Sequence, residues 1–127
     1  MAQLTRLEAV LEQALYAGAT PPLLNLAMRH AVFPGGARIR ARLCLAAAAA
    51  CGMDDPELAH AAAAAIEMLH CASLVHDDMP CFDDAATRRG RLAVHRAFGE
   101  PLALLADRKS TRLNSSHSTL SRMPSSA

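Results

Sequence analysis

From Glu57 to Met79 the chain runs 23 residues with neither glycine nor proline. This stretch limits the possible folds more than any other. Asp54 or Asp55 stands ready to cap a helix, and Pro56 fits its first turn. Pro80 helps to stop it. A helix from there to about Met79, nearly 25 residues, is roughly 37 Å long. The alanines along it allow neighbouring helices to approach closely. Aromatic residues make up 3% of the chain against 52% hydrophobic residues overall. The core is therefore aliphatic and alanine-rich, which favours packed helices over a β-sandwich.

Other segments carry the same period. Leu4, Leu7, Leu11 and Leu15 recur every three to four residues, so residues 4–17 read as an amphipathic helix. Thr20 followed by Pro21 and Pro22 starts a second helix, with Thr20 as its cap, running to about Ala31. "FPGGAR" breaks it. A third runs from about residue 37 to Cys51, with Gly52 just past its end. Residues 80–92 form a loop, and a fifth helix starts near Ala93 and continues past Gly99. No β-alternation and no internal repeat is present. The expected fold is all-α, and 127 residues suffice for about one domain.

A formal charge of +1 argues neither for nor against a nucleic-acid partner, and none is expected. Cys44, Cys51, Cys71 and Cys81 lack CxxC spacing, which fits small buried residues in a reduced, cytoplasmic chain. The N-terminus has acids and a helical period instead of a basic start and an apolar run, so no signal peptide is expected. The longest apolar run, "LCLAAAAACGM", falls short of the roughly 20 residues that span a bilayer.

Composition changes after Ala106. Before it Ser73 is the only serine and every cationic side chain is arginine; after it come seven serines and Lys109. "DRKSTRLNSSH", residues 107–117, and "SRMPSSA", residues 121–127, resemble a common sequencing-library adapter translated in one frame. Residues 118–120 would fall on its variable index. The expectation is a genuine domain at 1–106 and a non-native tail at 107–127. The genuine part then has nine arginines against eleven acids, a formal charge of −2.

Charge concentrates in "HDDMPCFDDAATRRG", residues 76–90. Asp77 and Asp78 end the long helix, and Asp83 and Asp84 follow a proline, in a DDxxxxD pattern. The intervening turn can fold Asp83 back toward Asp77. Such hard oxygen ligands suit Mg²⁺, which takes one or two carboxylates plus substrate phosphates. A helix C-terminus disfavours bare anions and accommodates a cation. A solvated acidic loop is the alternative for the acids alone.

Arginines weigh against that alternative. Arg88 and Arg89 follow, with Gly90 as a flexible exit, and a guanidinium matches phosphate oxygens. "GGARIRAR" adds Arg38, Arg40 and Arg42 beside a glycine turn that lets backbone approach a ligand. Two arginine groups flanking an acidic motif point to two polyphosphates, one bridged by metal and one held by arginine. His70 lies seven residues before Asp77 and shares its helix face. It is either a phosphate donor or a packed or surface histidine. A zinc site from His70, Cys71, His76 and Cys81 lacks the usual ligand spacing.

"GGARIR", "EMLHCASLVHDDMPCFDD" and "RRG" with "FGEPLALLA" together resemble the N-terminal part of the trans-isoprenyl diphosphate synthases, over about residues 25–106. Bacterial geranylgeranyl diphosphate synthases of carotenoid and photopigment pathways look most similar. The resemblance implies a helical bundle, a homodimer, and condensation of isopentenyl diphosphate with an allylic diphosphate, farnesyl or shorter. By this resemblance Asp77, Asp78 and Asp83 bind Mg²⁺ and through it the allylic diphosphate. Arg88 also holds that diphosphate. Arg40, His70 and Arg89 look like isopentenyl diphosphate contacts. Ala37 departs from a frequent lysine and Ala41 from a frequent proline, and Leu92 and Ala93 stand in a stretch that often contains a proline and a hydroxyl.

Ala72 and Ser73 lie five and four residues before Asp77, about one turn deeper. In related short-chain enzymes aromatics there floor the chain-length pocket. Small residues imply an open cavity and a twenty-carbon product, unless they serve only close packing. The second aspartate-rich motif of the family does not occur, so the fragment itself is expected to be inactive. A farnesyl diphosphate synthase, a terpene cyclase fragment and a non-catalytic subunit of a two-chain synthase stay open.

Overall fold

The computed structural model describes residues 2–16 and 20–118. Four helices come first: α1 Ala2–Tyr16, α2 Pro22–Val32, α3 Ile39–Ala50 and α4 Pro56–Asp78. A hairpin of β1 Thr87–Arg88 and β2 Arg91–Leu92 follows, then α5 Val94–Phe98 and α6 Glu100–Ser118. Among the described residues the fold is all-α apart from that two-stranded hairpin.

The core grows on the period seen in the sequence. Leu7, Leu11 and Leu15 of α1 meet Met28 and Val32 of α2, Leu45 of α3 and Met68, Cys71 and Val75 of α4 in one buried cluster. Truncating one such leucine to alanine costs about 2–5 kcal/mol. By length and composition alone α4 could cross a bilayer. Here it is the central strut, packed chiefly by α6 and α3 and also by α1. Ala63 and Ala64 on α4 and Ala103 on α6 are fully buried, which permits the close helix approach that the alanines promised.

The ends of the helices follow local chemistry. Asp55 caps α4, its Oδ1 accepting from the Leu58 backbone N–H at 3.1 Å. After α3, Gly52 takes φ 105°. Its N–H donates to the Ala49 carbonyl and that of Met53 to the Ala48 carbonyl, the paired bonds of a glycine C-terminal cap. Three boundaries differ from expectation. Thr20 does not cap α2; Pro21 occupies the cap position and offers no side-chain bond. The expected fifth helix is two, because Gly99 at φ 92° breaks it between α5 and α6. The expected loop at 80–92 contains the hairpin. Of the tail, residues 107–118 continue α6 and residues 119–127 lie outside the described residues.

Apolar surface stays uncovered on several helices. Ile39 and Leu43 of α3, Leu104 and Leu105 of α6, and Ile66 and Leu69 of α4 are all exposed.

Candidate functional site

The last turn of α4 sets the acidic groups. The Asp83 backbone N–H donates to the Asp77 carbonyl at 2.9 Å, and that of Ala85 to the Asp78 carbonyl at 3.1 Å. These bonds satisfy helix-terminal carbonyls and wrap residues 79–85 back over the helix end. Asp84 adopts φ 48° to make the turn. Asp77 and Asp83 are exposed, whereas Asp78 is buried. Asp84 is exposed and lies 3.7 Å from Arg96.

The hairpin sets the arginines. Arg88 pairs with Arg91 across the ladder, leaving Arg89 and Gly90 as a two-residue turn. Both have positive φ, 53° and 77°, as a type I′ hairpin requires. Gly90 is thus a turn residue and not merely a flexible exit. The Arg88 guanidinium folds back onto Asp78, Nη2 to Oδ1 at 2.6 Å and Nε to Oδ2 at 3.0 Å. The Asp78 carboxylate, with the charges of Asp77 and Asp83 assisting, raises the pKa of Arg88.

Two further bonds dock the hairpin on α2. Arg91 donates Nη1 to the Phe33 carbonyl at 2.6 Å and Nη2 to His30 Nδ1 at 2.8 Å. With Nδ1 accepting, His30 Nε2 donates to the Leu92 carbonyl at 2.7 Å. From α5, buried His95 donates Nε2 to the Ala85 carbonyl at 2.9 Å. A cavity of about 100 Å³ lies beneath the hairpin, bounded in part by Asp78, Arg88, Arg89, His30 and Phe33.

A second cationic group faces the first. Arg40 Nη1 lies 3.3 Å from His70 Nε2. A guanidinium only donates, so this nitrogen of His70 accepts. Burial lowers the pKa of His70, and the charges of Arg40, Arg89 and Arg88 lower it further against an opposing pull from Glu67. Arg40 thus touches His70 directly, while Arg88 and Arg89 act on it only through their charge. His70, Ser73 and Asp77 follow one another along α4 at helical spacing, with Ile66 on the same stripe.

Arg38 behaves differently from its neighbours. Its side chain is only 2% exposed, and it is tied to Glu8 at 2.8 Å and Glu67 at 3.1 Å. Arg42 is exposed and reaches the Ala37 carbonyl at 3.4 Å. The glycine turn is approached by these guanidinium groups of the chain itself: added Cβ atoms on Gly35 and Gly36 would meet Arg38 and Arg89 respectively.

A polyprenyl synthetase family model matches residues 21–110. The chain belongs to the polyprenyl synthetase family. It is 56% identical over 103 residues to a geranylgeranyl diphosphate synthase of Cereibacter sphaeroides, covering 79% of this chain and 36% of that one. It is 53% identical over 104 residues to the synthase of the same name from Rhodobacter capsulatus, covering 80% and 36%. Among solved structures it resembles an isoprenoid synthase family member of Thermotoga neapolitana, with TM-score 0.90 and 36% identity over 98% of this chain and 48% of that one. A geranyltranstransferase of Thermotoga maritima matches with TM-score 0.85 and 34% identity over 91% and 43%. The chain thus spans about a third of the length of the curated relatives it matches.

The metal-ligand set expected of a polyprenyl synthetase fits in a particular way. Among the described residues no group of three or more His, Cys, Asp or Glu side chains gathers as a metal cage. Asp77 and Asp83 are exposed and share one turn. Two hard carboxylates suit Mg²⁺, which completes its shell with water and substrate phosphates. Both oxygens of Asp78 are turned to Arg88. Ala72 is buried at 3% exposure, while exposed Ser73 donates its hydroxyl to the His70 carbonyl at 2.6 Å.

Glu67, His30 and Arg91 carry this arrangement without any signal in the sequence, and Arg38, expected with Arg40 and Arg42 as a phosphate-facing arginine, is instead buried against Glu8 and Glu67. Arg38 reads as one more arginine in "RIRAR", and nothing local reveals that Glu8 and Glu67 meet it. "RRGR" with a glycine third was a legible hairpin signal.

Proposed function

We propose that this chain is the N-terminal part of a prenyltransferase that condenses isopentenyl diphosphate with an allylic diphosphate, farnesyl or shorter, to geranylgeranyl diphosphate. One observation carries the reading: exposed Asp77 and Asp83 share a closed turn beside a hairpin presenting Arg88 and Arg89, opposite Arg40 and His70. The names of the relatives from Cereibacter sphaeroides and Rhodobacter capsulatus support the product class. The complete enzyme is a cytoplasmic homodimer in this reading.

Mg²⁺ held at Asp77 and Asp83 would neutralise charge developing on the departing pyrophosphate. Arg88 supplies preorganised positive charge to that leaving group, and Asp78 aims it. Arg40, Arg89 and His70 hold the second diphosphate, placing its double bond against the carbon losing pyrophosphate. Carbon–carbon bond formation there is followed by proton loss that restores an alkene. The stripe of Ser73 and Ile66 along α4 lines the path of the growing hydrocarbon. The chain spans about a third of its relatives' length, and the activity proposed is that of the complete enzyme.

Calorimetry of this chain with inorganic pyrophosphate tests the acidic site. Magnesium-dependent binding is expected, and Asp77→Asn with Asp83→Asn should weaken it at least tenfold. Undiminished magnesium-dependent binding in that double variant would falsify the reading.

A further inference from the structure

Two adjacent glycines each lie under a different guanidinium. A Cβ on Gly35 would overlap the Arg38 guanidinium, with Nη2 at 2.6 Å, and one on Gly36 would sit 3.1 Å from Arg89 Nε. The Gly35–Gly36 turn is thus a thin layer between a buried arginine and an exposed one.

The buried arginine is held on all sides. Arg38 donates Nε and Nη2 to the two Glu8 oxygens at 2.8 and 3.0 Å, Nη1 to Glu67 Oε2 at 3.1 Å, and Nη2 to the Val32 carbonyl at 2.9 Å. Its Cζ lies 5.6 Å from the Phe33 ring centroid. These partners come from α1, α4 and the end of α2. The Arg38 backbone takes φ 56° at the start of α3, two residues before Arg40. So buried a side chain cannot touch a diphosphate. Nor is a buried ion group an efficient source of stability, because desolvation consumes much of its Coulombic gain.

We propose that Arg38 is a positioning residue: pinned by Glu8 and Glu67, its guanidinium fixes the Gly35–Gly36 turn that seats Arg89 and the helix start that aims Arg40, so that both arginines meet one diphosphate. This rests on the reading of Arg40, His70 and Arg89 as a diphosphate site. The planar fork matters as well as the charge, since it contacts Gly35, spans Glu8 and faces Phe33.

The test uses this chain and inorganic pyrophosphate, titrated calorimetrically with EDTA and then with magnesium. Arg38→Lys keeps the charge and removes the fork. Gly36→Ala leaves Arg38 alone and pushes on Arg89. Each should weaken metal-free binding about tenfold, equivalent to about 1.4 kcal/mol. The magnesium-dependent increment through Asp77 and Asp83 should stay within twofold, and the helical circular dichroism should be retained. A merely structural role would weaken both modes together. Wild-type metal-free affinity in both variants overturns the positioning role alone. Should Arg38→Lys fail to fold, Glu8→Gln, which loosens one of the two carboxylates pinning Arg38, decides in the same way. A wild-type chain that binds no metal-free pyrophosphate overturns the diphosphate reading itself, and this proposal with it.

Discussion

Arg88 grips Asp78 through two parallel bonds, 2.6 and 3.0 Å, across the gap between the hairpin and the end of α4. The middle acid of the motif thereby orients an arginine, while Asp77 and Asp83 remain open to solvent. The pair is also asymmetric: the Asp78 side chain is 4% exposed and that of Arg88 38%.

That asymmetry predicts a stability difference. Arg88→Ala leaves a buried carboxylate without its partner and should cost about 2–4 kcal/mol in urea unfolding. Asp77→Asn changes an exposed group and should stay within about 0.5 kcal/mol. Matching unfolding midpoints for the two variants would contradict the paired geometry.

Titration of His70 should report ligand binding. Burial first, then the arginines, hold its pKa below the usual 6.5. The unfolded chain therefore binds this proton more readily, and folded stability declines as pH falls from 6.5 toward the lowered value. A bound diphosphate offsets the arginines and raises the pKa. Binding then takes up protons, and His70 favours tighter binding as pH drops through that window. Calorimetry near pH 6 in buffers of different ionisation heat measures the uptake. His70→Gln should lose its share, the probe's own protonation being common to both. Equal uptake in both proteins would place His70 outside the site.

Chain-length control should divide between two neighbours. Ala72 is buried, so Ala72→Phe overpacks the bundle and should cost about 1–3 kcal/mol. Ser73 is exposed on the stripe leading from Asp77. In the complete enzyme Ser73→Phe should shorten products with little loss of stability. Unchanged products from Ser73→Phe would remove this position from the cavity wall.

Cysteine reactivity offers a check on the acidic turn. Burial, with Glu67 adding to it, pushes the Cys71 thiol up to about 11, so it should resist a thiol reagent at pH 8. Cys81 is exposed between the two acid pairs. Magnesium with pyrophosphate should slow its alkylation several-fold and leave exposed Cys51 unaffected. Equal slowing at both positions would indicate a general effect of the ions.

Much of the fold is legible in the sequence. Leucine spacing, Asp55 before Pro56 and the glycine after Cys51 specify helices through local bonds, and those helices formed. The acidic pattern, both arginine groups and His70 were visible because their residue types carry the chemistry. Strands β1 and β2 are too short to show alternation, so only the Arg89-Gly90 turn marks the hairpin in the sequence. Gly99 was passed over because one glycine within an apolar run only weakens a helix, and its φ of 92° depends on packing.

Local order in the chain therefore decided the helices and announced the charges, because capping, periodicity and turn preference act over a few residues. The tertiary structure alone decided which charges are spent inside the protein and which are left for a ligand. Arg38 meets Glu8 and Glu67 from 30 and 29 residues away, and Arg88 meets Asp78 from 10. A buried charge needs a partner at hydrogen-bonding distance, and only the packing of α1, α4 and the hairpin brings those partners within reach.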